Sequence, residues 1–367
     1  MILTTCAACA KPIEYDASAR CVACQTRYCS DRCLRYHAHR GGHDDECEDI
    51  ANGGGAEQYN ADKKYEEAVA DAVEQCAEDT AGQTCYICLE DGSEEGLVRG
   101  CSCRGGAGFA HVSCLAKQAK ILYAEAEERH LDDDQWKRWY SCRLCEQNYH
   151  GVVACALGWA CWKNYVGRPE TDVARGRAIS ALGNGLNEVN LYEDLLTVDE
   201  ARFAMLKRNG ASEYSRLVVQ SNLATTYEKV GRDEEALSMK RDVYSGHVKL
   251  LGEEHEHTLV AANNYAVTLR NLQHFEEAKS LLRESMPVAR RVLGEDDAAT
   301  LTMRWSYAQT LYEDDSATLA ELREAVTTLE DTERIAQRVL GGAHPLTASI
   351  EDELQQARDA LYARGLP

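Results

Sequence analysis

The sequence lacks an apolar segment long enough to cross a bilayer. Its longest uncharged apolar run covers residues 151–162 and falls short of the roughly 20 residues that a membrane-spanning helix requires. No apolar, signal-like segment opens the chain either. These two absences predict a soluble protein without a membrane span.

Positive charge is also scarce. The chain carries 40 lysines and arginines against 61 aspartates and glutamates, which gives a formal net charge of −21. A field of that sign repels phosphate groups, so nucleic-acid binding and binding to anionic membranes are excluded as main tasks. We therefore expect no nucleic-acid partner.

Cysteine, by contrast, is abundant, with 17 residues among 367. Without a secretory signal, metal-bound thiolates in a reducing compartment are a stronger interpretation than a disulfide framework. We therefore predict an intracellular location, cytoplasmic or nuclear. Fourteen cysteines and two histidines fall into metal-ligand patterns. The three cysteines left over, Cys76, Cys155 and Cys161, are predicted to be packed thiols.

The stretch 85–145 contains eight potential metal ligands in four close pairs. The pairs are Cys85 and Cys88, Cys101 and Cys103, His111 and Cys114, and Cys142 and Cys145. A tetrahedral zinc site takes four such ligands, so two pairs must meet at each metal. Four protein ligands leave no open coordination position, and we therefore predict sites that support a fold and contain no catalytic residue.

The order of these ligands, with one residue inside the second pair and seven between Cys103 and His111, resembles the RING-CH (RING-variant) zinc finger of membrane-associated ubiquitin ligases. The resemblance implies a cross-brace, in which the first and third pairs hold one zinc and the second and fourth pairs hold the other. It also implies a RING-type ubiquitin ligase. Such a ligase brings a ubiquitin-charged conjugating enzyme and a substrate together and forms no covalent intermediate itself.

The same resemblance implies two contacts with a conjugating enzyme. Ile87 fills the apolar position inside the first C-x-x-C, and Gln118 stands four residues after Cys114, where the family usually has a tryptophan. Losing an aromatic anchor costs on the order of 2 kcal/mol or more at an interface. Trp136 and Trp139, in the insert that follows, are alternative candidates for this contact.

Residues 6–47 carry a second set of eight ligands. Their spacing and the sequence of residues 28–33 resemble those of the MYND zinc finger. The resemblance implies two interleaved zinc sites: Cys6, Cys9, Cys29 and Cys33 in one, and Cys21, Cys24, His43 and Cys47 in the other. The gap of three residues before Cys47 favours His43 as a ligand, while the longer loop before it leaves His37 and His39 as alternatives. The two fingers would thus bind four zinc ions, without which the small first finger could not fold.

Residues 170–367 repeat with a period of 42. Gly210, Gly252 and Gly294 follow this period, which a short insertion near residues 314–318 interrupts. The pattern resembles the tetratricopeptide repeats of kinesin light chain. The resemblance implies a stack of about four helix pairs that ends in a capping helix. The inner groove of such a stack is expected to bind a peptide.

Polar residues inside the first-helix stripes are candidates for this groove. We name Asn222, Asn264 and Arg270, together with Asn263 and Arg304, because polar groups at such positions need a partner. The two asparagines that follow the repeat period, Asn222 and Asn264, are equally suited to satisfying the repeat backbone.

The expected architecture is mostly α-helical, with two small zinc-stapled fingers of treble-clef and cross-brace type followed by a helical solenoid. The predicted segments are a MYND-type finger (1–50), a helical connector (51–84), a RING-CH-type finger (85–150), an apolar helical junction (151–169) and the repeat array (170–367).

Two functions remain open from the sequence. The first is a ubiquitin ligase whose finger binds a conjugating enzyme and whose repeats select the substrate. The second is a non-catalytic adaptor, which Gln118 favours, as does Leu34 in place of a glutamine that helps MYND fingers to grip proline-containing peptides. A lysine methyltransferase, which also pairs a MYND finger with helical repeats, is excluded because the chain after Cys145 lacks the β-rich sequence of a SET domain.

Overall fold

A computed structural model describes residues 6–9, 11, 19–129 and 133–365. The rest of the predicted first finger and the last two residues of the repeat array lie outside the described residues. The described part is mostly helical, as the sequence predicts, and its cysteine-rich half precedes a stack of helices like that of tetratricopeptide repeats.

The elements of the first half include one two-stranded antiparallel sheet. They are β1 (Ala19–Arg20), β2 (Arg27–Tyr28), α1 (Asp31–Arg40), α2 (His43–Asn52), α3 (Ala56–Thr80), α4 (Val112–Glu128), a 3-10 helix (Asp133–Trp139), α5 (Gly151–Tyr165), α6 (Val173–Glu188) and α7 (Tyr192–Arg208). The helices of the second half are α8 (Glu213–Lys229), α9 (Asp233–Leu251), α10 (Glu256–Asn271), α11 (Phe275–Val292), α12 (Ala298–Tyr312), α13 (Leu319–Val339) and α14 (Pro345–Gly365).

Helix ends in the second half follow local side-chain chemistry. The Asp297 carboxylate accepts a hydrogen bond from the Ala299 N–H at 2.8 Å and caps α12. Thr318 and Glu321 form a reciprocal capping box that starts α13. Gly252, with φ +88°, ends α9 in a conformation that a side chain would disfavour. Residues at the helix ends of the repeats thus determine where these helices begin and end.

The chain divides into two compact units, Met1–Ala211 and Ser212–Pro367. In the first unit, α5 packs against α3, α4 and α6, and its apolar face forms the centre of a core that α6 and α7 complete. The contacts group α6 and α7 with the cysteine-rich half, within the unit Met1–Ala211. The reason is the close approach of α5 and α6, which Gly158 and Gly185 permit.

In the second unit, the helices α8 to α14 stack in chain order. Each helix contacts the next, and α12 also contacts α10 and α14 along the stack. The insertion after α12 places Asp314 beside the buried Lys279 of α11, with Asp314 Oδ2 2.7 Å from Lys279 Nζ. Among the described helices of the whole chain, none is long and apolar enough for a membrane crossing.

Candidate metal centres

The structure brings the eight potential ligands of residues 85–145 together in two crossed groups. The first and third pairs meet in one group, and the second and fourth pairs meet in the other, with the ligand atoms of each group within 4.8 Å of one another. Cys88 Sγ lies 3.4 Å from His111 Nδ1, and Cys103 Sγ lies 3.8 Å from Cys142 Sγ. The arrangement is the cross-brace that the sequence resemblance implies.

The earlier cysteine-rich region, residues 6–47, forms two further groups. Their members are Cys6, Cys9, Cys29 and Cys33 in one group, and Cys21, Cys24, His43 and Cys47 in the other. His43 is nearly fully buried, and its Nε2 lies 3.5 Å from Cys24 Sγ. The alternative His37 instead places its Nδ1 2.9 Å from the Tyr28 hydroxyl. The geometry therefore selects His43 over His37 and His39 as a candidate ligand.

The distances between the sulfurs fit a tetrahedral metal cage. The Sγ atom of Cys29 lies 3.6 Å from that of Cys9 and 3.5 Å from that of Cys33, and the Sγ atoms of Cys9 and Cys33 are 3.8 Å apart. A tetrahedron with metal–sulfur bonds of about 2.3 Å has edges of about 3.8 Å. All four groups contain only thiols and imidazoles, which are the ligands that structural zinc prefers. The residues present therefore fit four zinc ions, two in each cysteine-rich region.

Four C-x-x-C turns share one backbone geometry. In each turn, the N–H of the first cysteine donates to the carbonyl five residues later, and the distances are 2.8–2.9 Å. The donor and acceptor residues are Cys6 and Lys11, Cys21 and Thr26, Cys85 and Glu90, and Cys142 and Gln147. The same turn therefore occurs in both cysteine-rich regions, and it presents the paired cysteines in the same way in each.

The sulfurs in these turns also accept hydrogen bonds from the backbone. The N–H groups of Ile87 and Leu144 each lie 3.4 Å from the sulfur two residues earlier. The residue that follows three of the turns adopts a left-handed conformation, at Gln25, Leu89 and Glu146. N–H donors directed at sulfur stabilise the thiolate that a zinc ion needs.

The pKa values of neighbouring thiols diverge within a group. Burial raises the pKa of Cys6, but hydrogen bonds from the backbone of Cys29 and Ala8 offset this effect and bring its pKa to about 6. Hydrogen bonds with the Cys33 and Cys9 side chains raise the pKa of Cys29 to about 12. Adjacent sulfurs cannot all carry negative charge without a cation, and a divalent ion removes this conflict.

Outer contacts that the sequence did not reveal hold His111 in place. Its Nε2 lies 2.9 Å from the Asp91 carbonyl oxygen, which leaves Nδ1 directed at the sulfurs. Glu95 accepts a hydrogen bond from the Ser113 N–H at 2.8 Å and thereby caps the first turn of α4. Contacts of this kind orient metal ligands. They join residues about 20 positions apart, for which no sequence spacing rule exists.

The loop between the two crossed groups depends on a glycine. A Cβ placed on Gly108, whose φ is +86°, would lie 2.6 Å from the Cβ of the candidate ligand Cys103. Beside it, the Arg99 guanidinium lies 4.3 Å from the centre of the Phe109 ring and donates to the Gly105 carbonyl at 2.9 Å. Glycine at 108 thus permits the close approach of the backbone to the ligand.

The residues predicted to contact a conjugating enzyme have different environments. Ile87 and Gln118 are both half-buried, so part of each side chain reaches the surface. Trp136 and Trp139 are only 8% and 1% exposed. The centre of the Trp136 ring lies 4.8 Å from the centre of the Tyr123 ring and 5.4 Å from the centre of the Tyr165 ring. The hypothesis that these tryptophans replace the missing surface aromatic is therefore wrong, because both belong to the core of the first unit.

The predicted groove residues also differ in their surroundings. Asn222 is exposed and Asn264 is half-buried, whereas Asn263 is buried with its Oδ1 atom unbonded among the described residues. Arg270 contacts Gln309 through Nη1 and lies 3.3 Å from the Glu313 carboxylate through Nε. Asn222 is therefore the most accessible of these candidates, and the Arg270 side chain is held by neighbours within the repeats.

Two of the three cysteines outside the ligand patterns are buried in α5. Cys155 is 5% exposed and Cys161 is fully buried. Burial raises the pKa of Cys155 to about 12, with contributions from Asp71 and Asp194, and raises the pKa of Cys161 well above its usual value. Neither thiol has the activated, accessible character of a nucleophile. Cys76 of α3 is half-buried and packs against a different core cluster, which includes Val153 and Leu157 of α5.

Comparison with known families matches two segments of the chain. The family model described as RING-variant domain matches residues 85–145, which is the segment of the crossed groups. The family model described as tetratricopeptide repeat matches residues 215–291, which correspond to α8–α11. The chain thus combines a RING-variant domain with tetratricopeptide repeats. A search of curated proteins gives no match.

Solved structures with similar helical stacks include two kinds of protein. One is described as the nearly identical TPR-like repeats of a kinesin light chain of Podosopora anserina, with 18% identity, a TM-score of 0.43, and coverage of 62% of this chain and 97% of that chain. A point variant of the same protein gives a TM-score of 0.44 at the same identity and coverage. The other is BtubC (BKLC) of P. vanneervenii, with 13% identity, a TM-score of 0.39, and coverage of 68% and 92%.

Proposed function

We propose that this chain is a zinc-dependent ubiquitin ligase of the RING type, in which the helical repeats select the substrate. The observation that carries the proposal is the RING-variant match over residues 85–145, whose eight ligands lie in two closed, crossed groups. Zinc, when bound, supplies the fold of the finger. The finger itself positions a ubiquitin-charged conjugating enzyme, and it has no catalytic residue of its own.

The first C-x-x-C turn supports a docking role. Ile87 is half-buried within the turn, and Leu89 directly after it is 77% exposed with a φ of +68°. An apolar side chain forced outward by the turn is a typical anchor for a protein partner. Gln118 on α4 is the second proposed contact with the conjugating enzyme.

The repeats and the first cysteine-rich region would supply recognition. Tetratricopeptide repeats stack helix pairs and commonly bind peptides on their inner face, so we assign substrate selection to α8–α14 and a peptide contact to the exposed Asn222. The region 6–47 is proposed to be a MYND-type, zinc-stapled platform with two metals. The domain limits predicted from the sequence are part of the same proposal.

A discharge assay tests the ligase function. A panel of conjugating enzymes charged with ubiquitin is incubated with free lysine and the zinc-loaded chain, and the loss of the thioester is measured over time. We expect faster discharge with the native chain, and a loss of roughly tenfold or more in Ile87→Ala. Val22→Ala is the matched control, because Val22 is an apolar residue inside a C-x-x-C turn of the other region and is 92% exposed.

A non-catalytic adaptor is the second candidate, and Gln118 in place of an aromatic anchor favours it. Under this alternative, the chain binds protein partners but does not accelerate discharge with any enzyme of the panel. Discharge that is unchanged in Ile87→Ala would also contradict the proposed docking surface. Replacing Gln118 with tryptophan distinguishes the two cases, because a ligase with a weakened interface would gain activity.

A further inference from the structure

Three histidines and a tyrosine lie together where α8, α9 and α10 meet in the second unit. His247 is in α9, His255 is the N-cap of α10, and His257 is in the first turn of α10. The centre of the His257 ring lies 5.3 Å from the centre of the His255 ring and 6.3 Å from the centre of the His247 ring. The hydroxyl of Tyr214, from α8, lies 2.8 Å from His257 Nε2. We call these four residues the histidine cluster.

The arrangement of the rings suits titration rather than metal binding. Neighbouring imidazoles are stacked, with interplanar angles of 24° between His255 and His257 and 26° between His247 and His257. Metal ligands converge on one point, and in the part of the chain that the structure describes these histidines belong to none of the candidate metal groups. Histidine is also the side chain whose charge ordinarily changes between pH 5 and 8.

Burial opposes a positive charge on His247. This residue is 4% exposed, and its Nδ1 has no hydrogen-bond partner among the described residues. The groups that face it from the helices packed against α9 are Tyr214 of α8, His257 of α10, and His255 just before α10. A protonated imidazole has two N–H donors, so protonation would bury an N–H without an acceptor. Burial, and then the His257 and His255 rings, lower the pKa of His247 below its ordinary value.

Protonation of His255 would remove a helix cap. Its Nδ1 accepts a hydrogen bond from the His257 N–H at 3.2 Å at the start of α10. A protonated Nδ1 is a donor and cannot accept this bond. A positive charge at a helix N-terminus is also opposed by the helix dipole. Acid would therefore weaken the start of α10 as well as the packing of α9.

No carboxylate in direct contact compensates a charge on these rings. Four carboxylates are close by along the chain, namely Glu213, Glu253, Glu254 and Glu256. Within the described ranges, none of them forms an ion pair with a histidine of the cluster, and Glu254 lies 2.6 Å from Arg291 instead. An imidazolium formed here would lack a paired counter-ion, which is costly at a buried site.

We propose that the histidine cluster is a pH-sensitive contact, which joins α8, α9 and α10 at neutral pH and loosens them in mild acid. Histidines of an unfolded chain take up protons as the pH falls through about 6.5. Because the open state binds the proton before the buried His247 does, the stability of the closed state is complete above that pH and is lost below it. One histidine that stays neutral when closed makes opening about tenfold more favourable at pH 5.5 than at pH 7.5. The proposal depends neither on ligase activity nor on peptide binding.

Hydrogen exchange of the full-length, zinc-loaded chain at pH 7.5 and pH 5.5 tests the proposal. Each rate is divided by the intrinsic exchange rate at the same pH, which gives a protection factor for the amides of α8–α10. We expect the protection factor of the native chain to fall about tenfold in acid. In His247→Gln, which cannot titrate, the two values should agree. His274→Gln, at an exposed histidine on the N-cap of α11 outside the cluster, should behave like the native chain.

A second variant distinguishes titration from a folding defect. Aspartate is a strong N-cap residue, stays ionised at pH 5.5 and supplies a counter-ion, so protection in His255→Asp should fall less in acid than in the native chain. A variant that only disrupts the fold would lower protection at both pH values. Equal protection of the native chain at both pH values, a fall that persists in His247→Gln, or a fall in His255→Asp as large as the native one would each overturn the proposal.

Discussion

The His111 imidazole contacts the backbone carbonyl of Asp91 through Nε2 at 2.9 Å, while its Nδ1 lies 3.4 Å from Cys88 Sγ. One nitrogen is thereby fixed as a donor, and the other is presented to the proposed metal. This contact with the backbone fixes the orientation of the ring. Such an outer contact sets both the tautomer and the orientation of a histidine ligand.

Replacing His111 with alanine should lower the zinc content of the chain. The variant keeps three thiol ligands in its group, and an incomplete cage binds zinc far more weakly. We expect native mass spectrometry to find four ions in the native chain and fewer in His111→Ala. His111→Cys should retain the ion, and His150→Ala, an exposed histidine at the start of α5, should behave like the native chain. Four ions in His111→Ala would contradict the assignment.

The choice of histidine in the first region gives a second prediction. His43 lies in the candidate group, whereas His39 does not. His43→Ala should therefore lose an ion and expose residues 19–52 to rapid hydrogen exchange, because this small region has little core without metal. His39→Ala is the matched control and should retain four ions. An equal loss of zinc in both variants would refute the assignment of His43.

The contact between α5 and α6 gives a third prediction. A Cβ on Gly185 would lie 2.7 Å from the Ala154 carbonyl oxygen, so Gly185→Ala forces two packed helices apart. We expect it to lower the free energy of unfolding by about 1–2 kcal/mol, since overpacking outweighs the gain in helix propensity. Gly176→Ala in the same helix should raise it by up to about 1 kcal/mol, because the nearest atom to a new Cβ there is Met205 Cε at 4.0 Å. Urea unfolding of both variants measures the difference.

The buried ion pair in the second unit gives a fourth prediction. Lys279 is 1% exposed and pairs with Asp314 at 2.7 Å, with Glu276 at 2.9 Å and with Glu321 at 3.0 Å, and Asp314 is the most buried of the three carboxylates. Asp314→Asn should lower the free energy of unfolding by about 3 kcal/mol or more, because it leaves a buried cation without its main counter-ion. The double variant Lys279→Met with Asp314→Leu should be less destabilised than Asp314→Asn. A double variant that is less stable than Asp314→Asn would contradict this account.

The same pair predicts a dependence on pH. Burial alone would raise the pKa of the Asp314 carboxyl, but hydrogen bonds from Lys279 and Ser316 outweigh this effect and hold it below its usual value. A lowered pKa contributes stability that is complete above the unfolded value of about 4 and is lost as the pH falls through the folded value. The difference in unfolding free energy between the native chain and Asp314→Asn should therefore be constant near neutral pH and shrink in acid. A difference that grows in acid would refute it.

Sequence patterns were sufficient for features that depend on local spacing. The four C-x-x-C turns could be predicted because each motif lies within a single turn of the backbone. The helices of the second unit could be predicted because their apolar faces recur with the 42-residue period. The fold class follows from these local signals. The assignment of a RING-variant domain and of tetratricopeptide repeats was likewise within reach of the sequence.

Features that join distant segments were not predictable. Trp136 and Trp139 were candidates for a surface contact because they lie in the insert that follows Gln118, yet both rings pack against the Tyr165 ring of α5. Likewise, one pocket of the first unit is lined by both Arg27 and Arg175, which lie in elements that share no motif. In both cases the deciding partner is more than 20 residues away, and a single sequence contains no signal that pairs such positions.

The packing of α5 on α6 determines where the chain can be cut. A fragment that begins at residue 170 would contain α6 without α5, against which it packs. Leu182 and Leu186 are fully buried in the intact chain and would be exposed to water in this fragment. The complementary fragment would expose Trp159. Isolated pieces divided at this point should therefore aggregate, and a cut at residue 211 is the better choice for studying the repeats alone.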